Sequence, residues 1–199
     1  MLESLDWKTV AALLSSALSI GGSVFYLYEV FKGRTKPHVY TWLIWTLTAI
    51  IAAASIWTGG GGLILSVTMT IVVLLCFTTF LTSFWYGTKN ITRGDTFSLL
   101  VALFAIFVWV GLKNPVLALF ISVSIDMVGY WPTYRKSYTE PWSEGILPWI
   151  IYTLAPLASL FAVLEYNVLT VTYSSATLTA NLLLIILLLI RRKSIPKPA

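Results

Sequence analysis

The amino-acid sequence predicts an all-α integral membrane protein: seven transmembrane helices in a 3+1+3 arrangement, two parallel three-helix repeats joined by a linker helix. Three observations carry that prediction. Hydrophobic residues make up 58% of the chain against 11% charged, and mean hydropathy is +0.85. A soluble fold of 199 residues needs far more polar surface. Seven segments are apolar over roughly the 20 residues that a membrane helix needs. One long stretch also occurs twice.

The seven segments fall at approximately 9–31, 39–58, 62–86, 96–112, 114–134, 147–165 and 168–190. None has the strict alternation of a barrel strand, which leaves helices. The first carries Ser15, Ser19 and Gly22 at helical spacing, a stripe of small residues that lets another helix approach closely. Gly59 to Gly62 break the chain between the second and third segments. Lys113-Asn114-Pro115 separates the fourth from the fifth, with proline placed where a helix start tolerates it. The fourth segment is the shortest and has no copy elsewhere. The opening MLESLDWK is acidic, and no small-residue cleavage site follows, so no cleaved signal peptide is expected.

Lys and Arg on alternate sides fix the expected orientation. Lys8 and Lys113 lie on one side. The other holds Lys32, Arg34, Lys36, Lys89, Arg93, Arg135, Lys136, Arg191, Arg192, Lys193 and Lys197, eleven of the thirteen. Positive residues stay cytoplasmic, so the N-terminus is expected outside and the C-terminus inside. The pI near 9.4 therefore reflects topology rather than nucleic-acid binding. Asn90-Ile91-Thr92 is a glycosylation sequon that this topology would keep silent in the cytoplasm.

The duplicated stretch is clearest in residues 130–154, YWPTYRKSYTEPWSEGILPWIIYTL, which end one apolar segment, make a charged turn and start another. Residues 26–47, YLYEVFKGRTKPHVYTWLIWTL, follow the same plan. Tyr26 to Pro37 spans eleven steps, as does Tyr130 to Pro141. Lys32, Thr35 and Pro37 fall on Lys136, Thr139 and Pro141. After three extra residues in the second copy, Trp42, Trp45, Thr46 and Leu47 fall on Trp149, Tyr152, Thr153 and Leu154. The chain thus divides into a first bundle (1–88), a linker helix (89–113), a second bundle (114–193) and a tail (194–199). An odd helix between the copies makes them parallel, related by an axis along the membrane normal.

The plan and these residues resemble the SWEET sugar facilitators and the wider PQ-loop group of membrane transporters. Pro132-Thr133, Arg135-Lys136-Ser137, Thr139-Glu140, Ser143 and Leu147-Pro148 follow the order of the SWEET signature, in which Pro-Thr ends a helix and a proline opens the next. The resemblance implies a cytoplasmic gate at Pro132 and Pro148. The corresponding first-half positions hold Tyr28 and Thr41 rather than prolines. Vitamin transporters of the PnuC type are similar in plan and also carry Trp-x-x-Trp, as Trp42 and Trp45 do here. KDEL receptors share the plan and bind a peptide without conducting a solute.

Asp126 is the sharpest candidate. It lies eleven residues from Pro115 and nine from Arg135, so about 16 and 13 Å from the two ends at 1.5 Å per residue. A carboxyl at that depth is protonated, partnered or facing water, and transporters place substrate or proton sites there. The alternative is a protonated acid bonded to a neighbouring helix. Asn181 is similarly central, and its amide suits a hydroxylated solute or an interhelical bond. Trp42 and Trp45 share one helix face, Trp149 and Tyr152 another, and each pair could stack on a solute ring. Most of the nine tryptophans must instead face lipid or the interface. Pro156 is a candidate hinge or a static kink. Glu29 is expected to pair with Lys32, Glu140 and Glu144 to lie in a solvated turn, and His38 to be interfacial.

One cysteine and one histidine exclude an intramolecular disulfide and the usual metal sites. No HExxH, GxSxG, Walker or CxxC pattern is present, the seventh segment holds no Schiff-base lysine before its basic end, and no second intramembrane aspartate accompanies Asp126. No catalytic residues, cofactor or metal are therefore expected. The expectation is a SWEET-like facilitator of a small neutral polar solute, sugar or vitamin-like, working by alternating access. Its partners would be that solute and the lipid bilayer, not nucleic acid, with homo-oligomerisation left open. The alternative is a non-transporting receptor or scaffold on the KDEL-receptor plan.

Overall fold

The computed structural model describes residues 6–58, 63–112 and 114–197. They form seven helices: α1 (Trp7–Phe31), α2 (Val39–Thr58), α3 (Leu63–Tyr86), α4 (Arg93–Val110), α5 (Pro115–Thr139), α6 (Ile146–Ala162) and α7 (Val168–Ser194). A 3-10 turn, Pro141–Ser143, joins α5 to α6. No strand occurs among the described residues. The glycine run Gly59–Gly62, Lys113 and the first five residues lie outside them.

Five helices, α1, α2, α3, α5 and α7, are long and apolar enough to cross a membrane. α6 is apolar but has 17 residues, one fewer than α4, so it and not α4 is the shortest. The bundle wears its apolar side chains outward. Leu14, Val24, Leu74, Phe104, Phe107, Leu164 and Ile190 are all more than half exposed. Serines, threonines and several charged residues are buried instead. That inversion suits a hydrocarbon solvent.

Local sequence explains the helix ends that matter. Thr92 and Asp95 form a reciprocal capping box that starts α4 at Arg93, three residues before the apolar segment begins. Asn114 caps α5 by accepting from the Val116 and Leu117 N–H groups. α5 then overruns its expected end. The signature places a helix end at Pro132-Thr133, but α5 runs through Pro132 to Thr139. Proline costs that helix one backbone bond. The following turns are held by buried contacts of Thr133, Lys136 and Ser137, so tertiary packing overrides the breaker.

The helices pair crosswise. Within residues 7–86, α3 packs on both α1 and α2, while the backbones of α1 and α2 stay apart. Within residues 115–194, α7 packs on both α5 and α6, and the backbones of α5 and α6 stay apart. Between these groups the most extensive contact is α1 with α6, matched by α2 with α5. α4 lies on α5 and α2. The small-residue stripe on α1 serves the α1–α6 contact: Ser15 Oγ donates to the Ala155 carbonyl at 2.9 Å. A Cβ on Gly22 would come within 3.1 Å of the Tyr152 ring.

Buried positions crowd one end. In α5 they begin at Ile125 and in α7 at Ala180, both running toward the basic termini of those helices. Six of the seven buried residues of α1 lie between Gly22 and Val30. The core there joins Tyr26, Val30, Trp42, Cys76, Tyr130, Trp149 and the α7 residues Ala180, Leu184 and Leu188.

Candidate functional site

Six aromatic side chains from α1, α2, α5 and α6 meet at the centre of this core. Tyr26 lies 4.8 Å from Trp42, and Tyr130 lies 6.2 Å from Trp149, between ring centroids. Tyr26 also contacts Tyr152 at 6.3 Å, as Tyr130 contacts Trp45 at 4.8 Å. Trp42 and Trp45 are 5.3 Å apart, Trp149 and Tyr152 5.6 Å. These three pairs of contacts map onto one another under the sequence correspondence of Tyr26 with Tyr130, Trp42 with Trp149 and Trp45 with Tyr152. The threonines that follow match as well: Thr46 Oγ1 donates to the Trp42 carbonyl at 2.6 Å and Thr153 Oγ1 to that of Trp149 at 2.7 Å.

Polar groups line the cluster. Asn181 uses both ends of its amide, accepting from Tyr130 Oη at 2.7 Å and donating from Nδ2 to the Tyr152 carbonyl at 2.8 Å. That ties α7 to α5 and α6. Asp126 is 6% exposed. Its Oδ2 accepts from Tyr173 Oη at 2.7 Å, while Oδ1 accepts no hydrogen bond. The Trp45 indole N–H reaches the Asp126 carbonyl at 3.4 Å, and Tyr152 Oη donates to Ser23 Oγ at 3.2 Å. Asp126, Asn181, Tyr152, Trp45, Trp149 and Trp42 are thus brought into one neighbourhood. Neither the cavity bordered by Met127, Tyr134 and Ala180 nor the one at the end of α3 is lined by any of these six.

The proline positions divide. Pro132 and Pro148 are buried in α5 and α6. Thr41 is fully buried, its Oγ1 3.0 Å from Thr133 Oγ1. Tyr28 is not with them: it is 46% exposed, beside Phe25 and under the Lys32 ammonium. α6 continues as helix through Pro156.

Beyond the aromatic cluster, toward the basic end, lies a buried ion pair that the sequence reading missed. Lys136 Nζ is 2.5 Å from Glu144 Oε1, and both side chains are wholly enclosed. Lys136 also donates to the Lys36 carbonyl. Glu144 accepts from Tyr26 Oη at 3.1 Å and from the Trp149 indole at 3.0 Å. Arg192 of α7 donates to the Glu144 and Pro141 carbonyls. The pair therefore joins α5, α6, α1 and the α1–α2 loop, the last through Lys136. The expected solvated turn is corrected here, because α5 and the 3-10 turn fold Glu144 inward against Lys136. Glu140 is half-buried and accepts from Asn90 Nδ2 at 2.8 Å. Glu29 pairs with Arg34 at 3.0 Å rather than Lys32, since the positive-φ turn at Gly33 brings Arg34 back over it.

A second network sits beside the first. Arg135 donates to Asp95 Oδ1 at 2.8 Å and to Asn90. His38, expected at the interface, is fully buried. Its Nδ1 accepts the Tyr40 N–H at 3.3 Å, which leaves the proton on Nε2, 3.4 Å from Asp95 Oδ2 without hydrogen-bond geometry. Burial pushes the imidazole down to about 4, against the pull of the Asp95 carboxylate and with Lys136 and Arg135 adding to the depression. The repeat offered a signal for Tyr26 and Tyr130, which anchor its alignment. It also aligned Lys136 with Lys32, but Lys32 is exposed, so the match carried no sign that Lys136 is buried.

No protein-family model, curated protein or solved structure matches the chain.

Proposed function

We propose that the chain is a transporter of a small neutral polar solute, sugar or vitamin-like, built on the SWEET-like plan. Two parallel units, residues 1–88 and 114–193, would be joined by α4 and related by an axis along the membrane normal. The carrying observation is the matched set of aromatic contacts around Tyr26 and Tyr130. The crosswise pairing of α1 with α6 and α2 with α5 supports the same symmetry. Transporters bind at such repeat interfaces near the midplane.

In this reading Asp126, Asn181, Tyr152, Trp45, Trp149 and Trp42 form the solute site in a closed arrangement. The open acceptor Asp126 Oδ1 is the atom a solute hydroxyl would reach. The Lys136–Glu144 pair closes the basic end, with Pro132, Pro148 and Thr41 beside it. The basic end is cytoplasmic by the positive-inside rule, which places the N-terminus outside. Opening would have to separate the rings and exchange the Asn181 bonds for bonds to solute.

One observation favours the alternative, a receptor or scaffold that moves nothing: both ends of the Asn181 amide are already satisfied within the protein. Flux in proteoliposomes separates the two readings. Radiolabelled sugars, nucleosides and vitamin precursors are offered to vesicles holding the wild type or Asp126→Asn. Uptake of one class, lost or weakened in the variant, is the expected result. Binding without uptake at any gradient would favour the receptor.

A further inference from the structure

We propose that a pocket at the basic end of α3 binds the headgroup of a singly anionic phospholipid, its phosphate between Lys36 and Lys89 and a headgroup hydroxyl on Glu140. This rests on the membrane character of the bundle and not on transport. The pocket encloses about 380 Å³ between the end of α3, the α1–α2 loop and the end of α5.

Its floor is rigid backbone. A Cβ on Gly87 would fall 2.1 Å from the Ser83 carbonyl oxygen and 2.7 Å from that of Pro37, and the Thr88 N–H bonds the Pro37 carbonyl at 3.1 Å. The polar lining suits one negative charge. Among the described residues, neither Lys36 nor Lys89 pairs with a carboxylate, and Lys89 Nζ holds only the Phe84 carbonyl at 2.9 Å. Thr88 Oγ1 accepts the Asn90 N–H at 3.1 Å, which leaves its own proton to donate. Glu140 spends Oε1 on Asn90 and keeps Oε2 as an acceptor.

Two lysines and one glutamate give a net charge of +1, which one phosphodiester neutralises. A zwitterionic headgroup would leave that charge unmatched, and a doubly anionic one would overshoot it. Phe77, Leu81 and Phe84 then run from the pocket along one exposed, apolar face of α3, where acyl chains would lie. Trp85, 74% exposed, has the amphipathic ring found at headgroup depth. That apolar track selects a lipid over a soluble anion.

The test uses the full-length protein, delipidated in neutral detergent, with added phosphatidylglycerol, phosphatidylcholine, phosphatidic acid or soluble glycerol phosphate. Native mass spectrometry reads bound lipid and thermal unfolding reads stabilisation. Phosphatidylglycerol should bind best and raise the melting temperature. Lys36→Gln/Lys89→Gln should weaken its binding roughly 30-fold, from the worth of two lysines at an anionic lipid surface. Lys36→Arg/Lys89→Arg should retain binding, as should Lys193→Gln/Lys197→Gln, which removes equal charge elsewhere. Equal binding of phosphatidylcholine, full binding by the Gln variant, or equal binding of soluble glycerol phosphate would each overturn the proposal.

Discussion

Lys136 and Glu144 are eight residues apart and touch at 2.5 Å in a place with no solvent exposure. Such a pair contributes little against an apolar replacement of the same shape, but stranding one partner is costly. Lys136→Met should therefore destabilise the protein by about 3–5 kcal/mol, and Glu144→Gln by a similar amount. The double variant should lose less than the sum, because each change removes the charge the other strands. Unfolding in detergent measures all three. Strict additivity would mean that the two charges do not act as a pair.

His38 gives the fold a pH dependence. Its imidazole is held neutral with a folded value of about 4, below the ordinary 6.5. The unfolded chain thus binds the extra proton first, so this contribution is complete above pH 6.5 and is lost as pH falls toward 4. The loss approaches about 3 kcal/mol at 1.36 kcal/mol per pH unit. His38→Asn keeps an acceptor for the Tyr40 N–H and removes the titration. Its melting temperature should be flatter than that of the wild type between pH 7 and 4. An unchanged slope would assign the acid sensitivity to the carboxylates.

Gly87 has no room for a methyl group. The three nearest contacts awaiting a Cβ are all backbone atoms, so no side chain can yield to it. Gly87→Ala should cost about 1–3 kcal/mol, as overpacking does, and should loosen the Thr88–Pro37 bond. Faster hydrogen exchange at the Thr88 amide is the direct readout. Gly33→Ala should also destabilise, for a different reason: φ is +69° there and the space is open, so the strain is conformational.

Asn181 couples three helices through two bonds. Asn181→Ala leaves Tyr130 Oη and the Tyr152 carbonyl without partners and should cost about 1–2 kcal/mol, the range of interhelical bonds in membranes. Tyr130→Phe should cost less, and adding it to Asn181→Ala should change little. If the two losses add in full, the Tyr130–Asn181 bond carries no energy.

The helices were legible because hydrocarbon leaves the chain so few options. Boundaries of α1, α2 and α3 fall within two residues of their apolar segments. The end of α5 was not legible, since the charged residues Arg135 and Lys136 look like a loop until Lys136 finds Glu144. The aromatic cluster was half legible: the repeat singled out Trp42, Trp45, Trp149 and Tyr152, but no pattern weighed Tyr26 and Tyr130 as their partners. Asp126 could be placed at mid-depth by counting residues. Its partner Tyr173 lies 47 residues on, and only the α5–α7 packing makes them neighbours. Ion pairs across loops are likewise invisible to periodicity.

The α1–α6 contact has a consequence for biosynthesis. Ser15 meets the carbonyl of Ala155, 140 residues later. At roughly 5–20 residues per second of synthesis, the small-residue face of α1 waits on the order of 7–28 s in the lipid before its main partner is made. During that interval Ser15, Ser19 and Gly22 face acyl chains, although their hydroxyls can bond back within the helix, as Ser19 does to Ser15. The earliest pairings available to the ribosome are those of α3 with α2 and with α1, while the α1 contact with α6 waits for most of the chain. A chain truncated before α6 should leave α1 open to capture by any other small-faced helix in the membrane.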